Sequence, residues 1–393
     1  MRLYPRWMLG LVSLAAAAAV WLPCVHWFYR PSAEQVVAER GVPPLARRIA
    51  SYYLHVWTEP ALLQAELAKM RSANAEWDFM GRSFFAWALA NMALRDPSLR
   101  PVALETIDRI VDATLAVEAE RGMHAFLMPY GRARPFVQQP ARSQFLDGEI
   151  ALMLALRCLV EDKPPYRAEL RRRVEVVVAR MEASPTLSAE SYPDECWTFC
   201  NSVALAAIRV ADRLDGTDHS ILSRRWIERA GAKLLDADTG LLIAAYALDG
   251  RRIYGPEGST IWLACHCLSL IDEPFARRQY ELARQHLAGS LGGFGYAREW
   301  PRGRSERMDI DSGLVVPGVG ASVASSGLAM VGAATFGDVE YLRRLVTTAE
   351  FLGFPVERDG RRKYAASNQV GDAVALYALV AGPAWQRVRR AQP

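Results

Sequence analysis

The chain has 393 residues, 51% of them hydrophobic and 23% charged, which is enough for one large domain or two smaller ones. Its 47 basic and 43 acidic residues leave a net charge of only +4, and no basic cluster is interleaved with aromatic residues, which argues against nucleic-acid binding. Six cysteines are too few for a disulfide scaffold, and Cys196 and Cys200 lack the further ligands of a zinc site. We therefore expect free thiols, no metal and no cofactor.

An uncharged apolar run at residues 8–28 is just long enough to span a bilayer, for which a helix needs about 20 residues. Arg2 and Arg6 precede the run, aromatic residues crowd its far end, and no small-residue cleavage site follows it. We interpret residues 1–30 as an uncleaved membrane anchor, with a cleaved signal peptide as the alternative. Since the two arginines precede the run, we place the rest of the chain outside the cytoplasm, in the periplasm.

After residue 44, apolar helices recur about every 60 residues, which indicates a repeat architecture. They are apolar almost all round, as buried helices are, and we expect them to begin near Phe79, Ser143, Phe199, Ser259, Val319 and Gly371. Helices with charged stripes follow most of them, at 166–181, 220–235, 275–287 and 339–352, and residues 45–74 supply a further helical partner. This pattern predicts an all-α fold, an (α/α)6 barrel or toroid.

An irregular helical bundle or an α-solenoid is the alternative, because the sequence does not prove that the ring closes. The predicted domains are the anchor at 1–30, a linker at 31–44, the barrel at 45–385 and a basic tail at 386–393. A homo-oligomer is compatible with this organisation.

Polar and aromatic side chains gather in the segments that lead into the apolar helices. In a barrel these segments line one mouth, where binding residues tend to lie. Helix capping is the ordinary role for such aspartates, and packing for such tyrosines. As substrate-binding candidates we take Trp77, Asp78, Cys196, Glu257, Asp309, Asp311 and Tyr364.

The segment at 191–204 carries the densest chemistry, with Tyr192, Asp194 and Cys200 next to an apolar helix. Pro193 prevents the helix from extending backwards, so Cys200 falls in the first helical turn, where the helix dipole lowers the pKa of a thiol. The remaining cysteines after the anchor, at 158, 265 and 267, lie in apolar runs and are expected in the core, as is His266.

Residues 191–218 resemble the active-site region of linalool dehydratase-isomerase, in which a Pro-Asp motif precedes a Cys-Asn-Ser that opens a barrel helix. A weaker likeness at 83–97, 148–153 and 318–320 extends the resemblance over most of residues 45–385. The resemblance implies a cofactor-free barrel enzyme that moves protons on an alcohol, with Cys200 and Asp194 at the matching positions. Three positions depart from the family: Ser191 replaces its first cysteine, Glu149 replaces its histidine, and its tyrosine is lost near Met80.

The resemblance therefore implies an acid–base lyase or isomerase whose substrate is a small, largely apolar, terpenoid-like alcohol. The proton-transfer candidates are Cys200, Asp194, Tyr192 and Glu149, and Cys196 is a candidate for the missing thiol. A glycoside hydrolase or sugar epimerase that uses paired carboxylates is the first alternative, and a non-catalytic binding barrel is the second. An apolar cavity favours the alcohol, whereas an open cleft with Trp77 and paired acids favours a sugar.

Overall fold

The computed structural model describes residues 5–38, 40–305 and 313–390, which are mostly helical. Four helices come first: α1 (Arg6–Val25), α2 (Ala33–Val36), α3 (Pro44–Thr58) and α4 (Pro60–Ala73). The next six are α5 (Ala75–Arg95), α6 (Arg100–Arg121), α7 (Gln144–Val160), α8 (Pro164–Glu182), α9 (Thr198–Asp215) and α10 (Ser220–Lys233). The last six are α11 (Gly258–Leu268), α12 (Glu273–His286), α13 (Val323–Phe336), α14 (Val339–Leu352), α15 (Gln369–Val380) and α16 (Pro383–Arg389).

The six apolar helices α5, α7, α9, α11, α13 and α15 form the inner ring of the fold. Each packs against the next, and α15 packs back against α5, which closes the ring. The predicted (α/α)6 barrel is confirmed, and the open solenoid is excluded. Five of the outer helices are α6, α8, α10, α12 and α14, and α3 packs beside α15 as the sixth.

Burial follows the sequence pattern closely. Leu89, Leu205 and Ala329, on three inner helices, are each 1% exposed or less, as expected for helices without a polar face. Outer helices place their charged stripes in solvent; Arg171 and Arg172 of α8, for example, are exposed. The core is therefore one continuous layer between the two rings.

Side-chain caps set where several inner helices begin. The Asn74 carboxamide accepts the backbone N–H of Glu76 at 2.8 Å, and Asn368 accepts that of Gly371 at 2.9 Å. Both caps satisfy N–H groups that a helix start leaves unpaired. Gly216, with φ of 71°, ends α9 in the left-handed conformation that favours glycine.

Three small antiparallel sheets lie in the connections that lead into inner helices. The first contains β1 (Cys196–Trp197), β2 (Ala245–Tyr246) and β3 (Arg252–Tyr254), and Cys196 is paired with Tyr246. The second contains β4 (Ala288–Leu291), β5 (Phe294–Arg298) and β6 (Ala321–Ser322), and the third is the hairpin of β7 (Pro355–Arg358) and β8 (Arg361–Tyr364). These strands were not expected, because they have two to five residues each, too few for a period of two to be visible.

Among the described residues, one helix is long and apolar enough to cross a membrane, Arg6–Phe28, with a mean hydropathy of 2.1 and none of its span buried. An N-terminal helix of this kind fits either an anchor or a signal sequence. The predicted domain limits stay predictions. Near the C-terminus, α16 extends past residue 385, the predicted end of the barrel domain, and its Val388 is buried.

Candidate active site

A cavity of about 100 Å³ lies inside the ring, at the N-terminal ends of the inner helices. Five inner helices, or the residues just before them, contribute to its wall. The lining residues are Glu76, Met80, Phe145, Ser191, Tyr192, Trp197, Phe199, Cys200, Ser259, Thr260, Ala324 and Leu328. The segments that lead into the inner helices therefore meet at one mouth, as the sequence predicted.

Most of the cavity wall is hydrocarbon, from Met80, Phe145, Trp197, Phe199 and Leu328. The polar groups are few: one carboxyl, one phenol, one thiol and three aliphatic hydroxyls. Binding sites for small apolar molecules have this composition, with a few polar groups that fix orientation.

The loop before α9 is held by two buried side chains that were not among the predicted site residues, Glu190 and the Asn201 of the Cys-Asn-Ser motif. The Glu190 carboxylate accepts backbone N–H groups from Val137 at 2.9 Å, Gln138 at 2.6 Å and Asp194 at 2.6 Å. The Asn201 carboxamide bonds both backbone groups of Ala189, at 2.9 and 3.1 Å. These bonds fix the turn at 192–195 and hence the positions of Tyr192 and Cys200.

Cys200 lies in the first turn of α9 and faces the cavity, as predicted. Its predicted thiolate character is wrong. Burial holds the pKa of the Cys200 thiol well above its ordinary value; a hydrogen bond with Ser191 opposes this, and Glu149 and Glu76 raise the pKa further. Loss of hydration outweighs the helix dipole here, so Cys200 is a neutral thiol at physiological pH.

Glu149 is fully buried on α7, near Cys200 but outside the cavity lining. The Ser83 hydroxyl donates to its Oε2, and Oε1 has no hydrogen-bond partner within the described part of the chain. Burial raises the pKa of Glu149 to about 8, which the Ser83 hydrogen bond only partly offsets. Glu149 is therefore mainly a neutral acid at pH 7.

Tyr192 lines the cavity together with Glu76. Its hydroxyl donates to Glu76 Oε1 and accepts the backbone N–H of Met128 at 2.8 Å, and its ring stacks on Tyr130 with centroids 4.3 Å apart. Burial and the neighbouring Glu76 carboxyl raise the pKa of Tyr192, so the phenol keeps its proton. Glu76 was absent from the predicted site, although its position in the first of the mouth segments was a usable signal.

Two candidates from the same loop do not line the cavity. Asp194 adopts a positive φ of 53°, and its Oδ1 accepts the Leu248 backbone N–H at 3.2 Å on the outer side of the turn. Cys196 is buried on β1, before α9 begins, so the helical spacing that would align it with Cys200 does not apply.

The substrate-binding candidates are dispersed. Asp78 is buried between Arg71 at 2.6 Å and Arg82 at 2.8 Å, which accounts for its charge without a ligand. The Tyr364 hydroxyl donates to Glu350 at 2.6 Å, away from the cavity, and Trp77 also lies outside the lining.

Glu257 is buried immediately before α11, whose Ser259 and Thr260 do reach the cavity. Asp309 and Asp311 lie outside the described residues.

His266 is a core residue, as expected. Its two ring nitrogens are bonded to Thr335 and Tyr377, each at 2.7 Å, and burial lowers its pKa to about 3. In the described ranges, no group of three or more histidine, cysteine, aspartate or glutamate side chains is placed to hold a metal ion.

Comparison with known proteins gives a family match and a set of fold matches. The sequence profile of the linalool dehydratase/isomerase family matches residues 148–370, more than half of the chain. An unsaturated glucuronyl hydrolase from Streptococcus agalactiae superposes with a TM-score of 0.50 at 9% identity, over 89% of this chain and 94% of its own. An unsaturated glucuronyl hydrolase from a Bacillus species (TM-score 0.49, 14% identity, 78% of this chain and 86% of its own covered) and a D-mannose isomerase (TM-score 0.46, 10% identity, 82% and 98% covered) are also similar. At 9% identity, the match to the Streptococcus agalactiae structure shows a shared fold and nothing about activity.

Proposed function

Because the chain belongs to the linalool dehydratase/isomerase family, we propose that it is a cofactor-free acid–base lyase or isomerase. Its substrate is a small, largely apolar alcohol of terpenoid type. The observation that carries this proposal is the cavity itself, a hydrocarbon wall with a neutral Cys200 thiol and a hydrogen-bonded Tyr192–Glu76 pair.

In the dehydration that we propose, the substrate C–O bond breaks and the hydroxyl leaves as water. Cys200 supplies the proton that this leaving group needs, because its raised pKa keeps the thiol protonated. Glu76 accepts a proton from the carbon next to the reacting centre, and the C–H electron pair forms the new double bond. Addition of water to the resulting diene, with a proton to one carbon and the hydroxyl to the other end of the allylic system, would give the isomeric alcohol.

Glu149 and Tyr192 support these groups without being required to touch the substrate. Glu149 helps to keep the Cys200 thiol protonated, because a charge on Glu149 raises the pKa of that thiol. The proton that Glu76 takes from carbon balances the one that Cys200 gives up, and its return to the thiolate restores both groups after turnover. Tyr192 orients the Glu76 carboxyl. Asp194, which lies outside the lining, is in this proposal a positioning residue of the loop.

The carbohydrate alternative has less support. It requires two carboxylates that face a polar cleft, with the aromatic floor expected from Trp77. Asp78 is instead neutralised by two arginines, and Trp77 does not line the cavity.

We further propose that α1 anchors the protein in a membrane, with the barrel on the extracytoplasmic side. The apolar span and the preceding Arg2 and Arg6 support this arrangement. Carbonate-washed membranes should retain the protein, and external protease should reach the barrel in spheroplasts. An intact mass that lacks the first 20 or so residues would mean that the segment is a cleaved signal.

The activity is tested by incubating the purified protein with cyclic and acyclic terpene alcohols in D₂O and, in parallel, with uronic-acid sugars. We expect a diene or an isomeric alcohol from at least one allylic alcohol, with deuterium in the recovered isomer. Turnover of a sugar alone would favour the carbohydrate alternative and contradict the proposal.

A further inference from the structure

The residues just after α1 are packed on the barrel. The rings of Tyr29 and Phe351 lie 4.9 Å apart, and the Pro31 carbonyl accepts the Arg343 guanidinium at 2.9 Å. The end of α1 is thus held at a fixed place on the barrel surface, beside α14.

The tip of the β4–β5 hairpin touches the same end of α1. A Cβ atom added at Gly293, where φ is 87°, would lie 2.2 Å from the His26 ring, so only glycine fits this approach. Leu291, at this tip, is 75% exposed. If α1 spans a bilayer, its end lies at the membrane surface, and the hairpin tip must lie there too.

Large apolar side chains are exposed around this junction. Phe354 is 66% exposed and Val356 49%, both in or beside the β7–β8 hairpin, and Phe351 lies between them and Tyr29. Exposed apolar patches of this kind mark interaction sites, and aromatic residues are enriched where a protein meets the lipid interface.

A cavity of about 490 Å³ opens between these side chains and contains three arginines, Arg30, Arg48 and Arg362. Arg30 and Arg362 pair with Glu340 and Glu350 through a terminal nitrogen, and the Nε of each is buried without an acceptor in the part of the chain that the structure describes. The Nε of Arg48 is ion-paired with Glu357 at 3.5 Å but makes no hydrogen bond among the described residues. Arg362 is only 8% exposed. Buried donors are rarely left unpaired, and guanidinium groups are suited to phosphate oxygens.

We propose that this surface, the docking face, rests on the lipid bilayer. It consists of Leu291, Phe351, Phe354 and Val356 together with the arginine cavity. The apolar side chains enter the interface, and the arginines hold the phosphate of a phospholipid headgroup. The inference depends on the proposed membrane anchor.

Docking at this face would have a consequence for the substrate. Both hairpins belong to connections that lead into inner helices, at the end of the barrel where the catalytic cavity lies. The bilayer, which dissolves apolar alcohols, would then lie close to that cavity.

The contact is tested with an environment-sensitive fluorophore on the full-length protein in phospholipid vesicles. Phe354→Cys and Leu291→Cys are labelled in a Cys24→Ser background, since the other five cysteines are buried. Glu175→Cys on α8, an exposed position on the opposite side of the ring, is the matched control. We expect emission at shorter wavelength, and quenching by nitroxide lipids, at positions 354 and 291 only.

Two outcomes would overturn the inference, and they are distinguishable. If the protein floats with the vesicles but all three labels remain in water, the anchor holds and the docking face is wrong. If the protein does not float with the vesicles, the anchor itself fails, and the docking face fails with it.

The headgroup site is tested by native mass spectrometry of the full-length protein, extracted from vesicles that contain phosphatidylglycerol. Arg48→Gln should retain several-fold less phospholipid than the wild type, whereas Arg172→Gln, an exposed ion-paired arginine on α8, should retain the wild-type amount. Equal retention by Arg48→Gln would refute the site. Displacement of the lipid by inorganic phosphate would also refute it, because it would identify a free anion as the ligand.

Discussion

Burial controls the protonation of Cys200, which lines the cavity, and of Glu149, which lies outside the lining. Cys200 and Glu149 both have raised pKa values, mainly because their charged forms would lose hydration inside the ring. A protonated thiol in an apolar cavity can give its proton to the leaving hydroxyl, and the resulting thiolate must then be reprotonated. This is the residue-scale basis of the proposed chemistry.

Glu149 should make stability depend on pH. Its pKa is about 8 in the folded state against an ordinary 4.5, so between these values the unfolded chain releases a proton that the folded protein keeps. Stability therefore falls as pH rises from about 4.5 to about 8. Glu149→Gln removes this slope, and its melting temperature should exceed that of the wild type by more at about pH 8 than at about pH 5.

Glu105→Gln, on the exposed face of α6, is the control and should melt like the wild type at both pH values. Parallel pH slopes for Glu149→Gln and the wild type would show that Glu149 is ionised in the folded protein.

Tyr192→Phe should reduce both stability and turnover. The substitution removes two hydrogen bonds, the one that the Tyr192 hydroxyl accepts from the Met128 N–H and the one that it donates to the Glu76 carboxyl. For buried groups this lowers the free energy of unfolding by about 1–3 kcal/mol. Tyr52→Phe removes a hydroxyl whose partner, Lys363, can turn to water, and should cost less. Urea unfolding and activity measurements on the two variants make the comparison. Equal, small losses would mean that the Tyr192 hydroxyl does not organise the cavity.

The sequence correctly predicted that Cys200 and Tyr192 lie at or just before the start of α9 and face the cavity. It did not predict the raised pKa of Cys200, because that depends on the three-dimensional surroundings. Cys200 and Tyr192 are recognisable because Pro193 separates a loop from an apolar helix. The raised pKa of Cys200 depends on Glu149 and Glu76, residues of two other helices, which no local pattern reveals. Glu76 lies in the segment that leads into the first inner helix, which was a usable signal, but an acid in the first turn of a helix is also common without any catalytic role.

At the scale of elements, the inner helices were predicted to within a few residues because an unbroken apolar surface is a strong local signal. The short strands beside them depend on pairing between distant residues, such as Cys196 with Tyr246. Ring closure likewise depends on the packing of α15 on α5, at opposite ends of the barrel sequence.

The buried packing of α9 gives a direct test at this scale. Ala206 is fully buried, so Ala206→Asp places an unpaired charge among apolar side chains and should cost about 3 kcal/mol or more. Arg213→Gln, exposed on the same helix, should stay within about 0.5 kcal/mol of the wild type. Denaturant unfolding measures both. A mild effect of Ala206→Asp would mean that α9 does not belong to the inner ring.

At the scale of the whole molecule, the N-terminal region is part of the folded body. Deleting residues 1–25 should release the protein from membranes and leave the barrel folded, because the helical repeat begins after residue 44. Deleting residues 1–40 also removes buried Val36 and the Tyr29–Phe351 contact, so it should lower the melting temperature further. Identical melting temperatures for the two truncations would show that residues 26–40 add no stability.

The central claim is that the inner-ring cavity performs proton transfer through Cys200. The most direct measurement is the turnover of the first identified alcohol by Cys200→Ala, beside its melting temperature, with Cys158→Ala as the control. Cys158 is a buried thiol of α7 that does not line the cavity. We predict that Cys200→Ala keeps the fold and loses about 10²–10⁴-fold in rate, while Cys158→Ala keeps its activity. A wild-type rate for Cys200→Ala would make the thiol a packing residue and contradict the proposed mechanism.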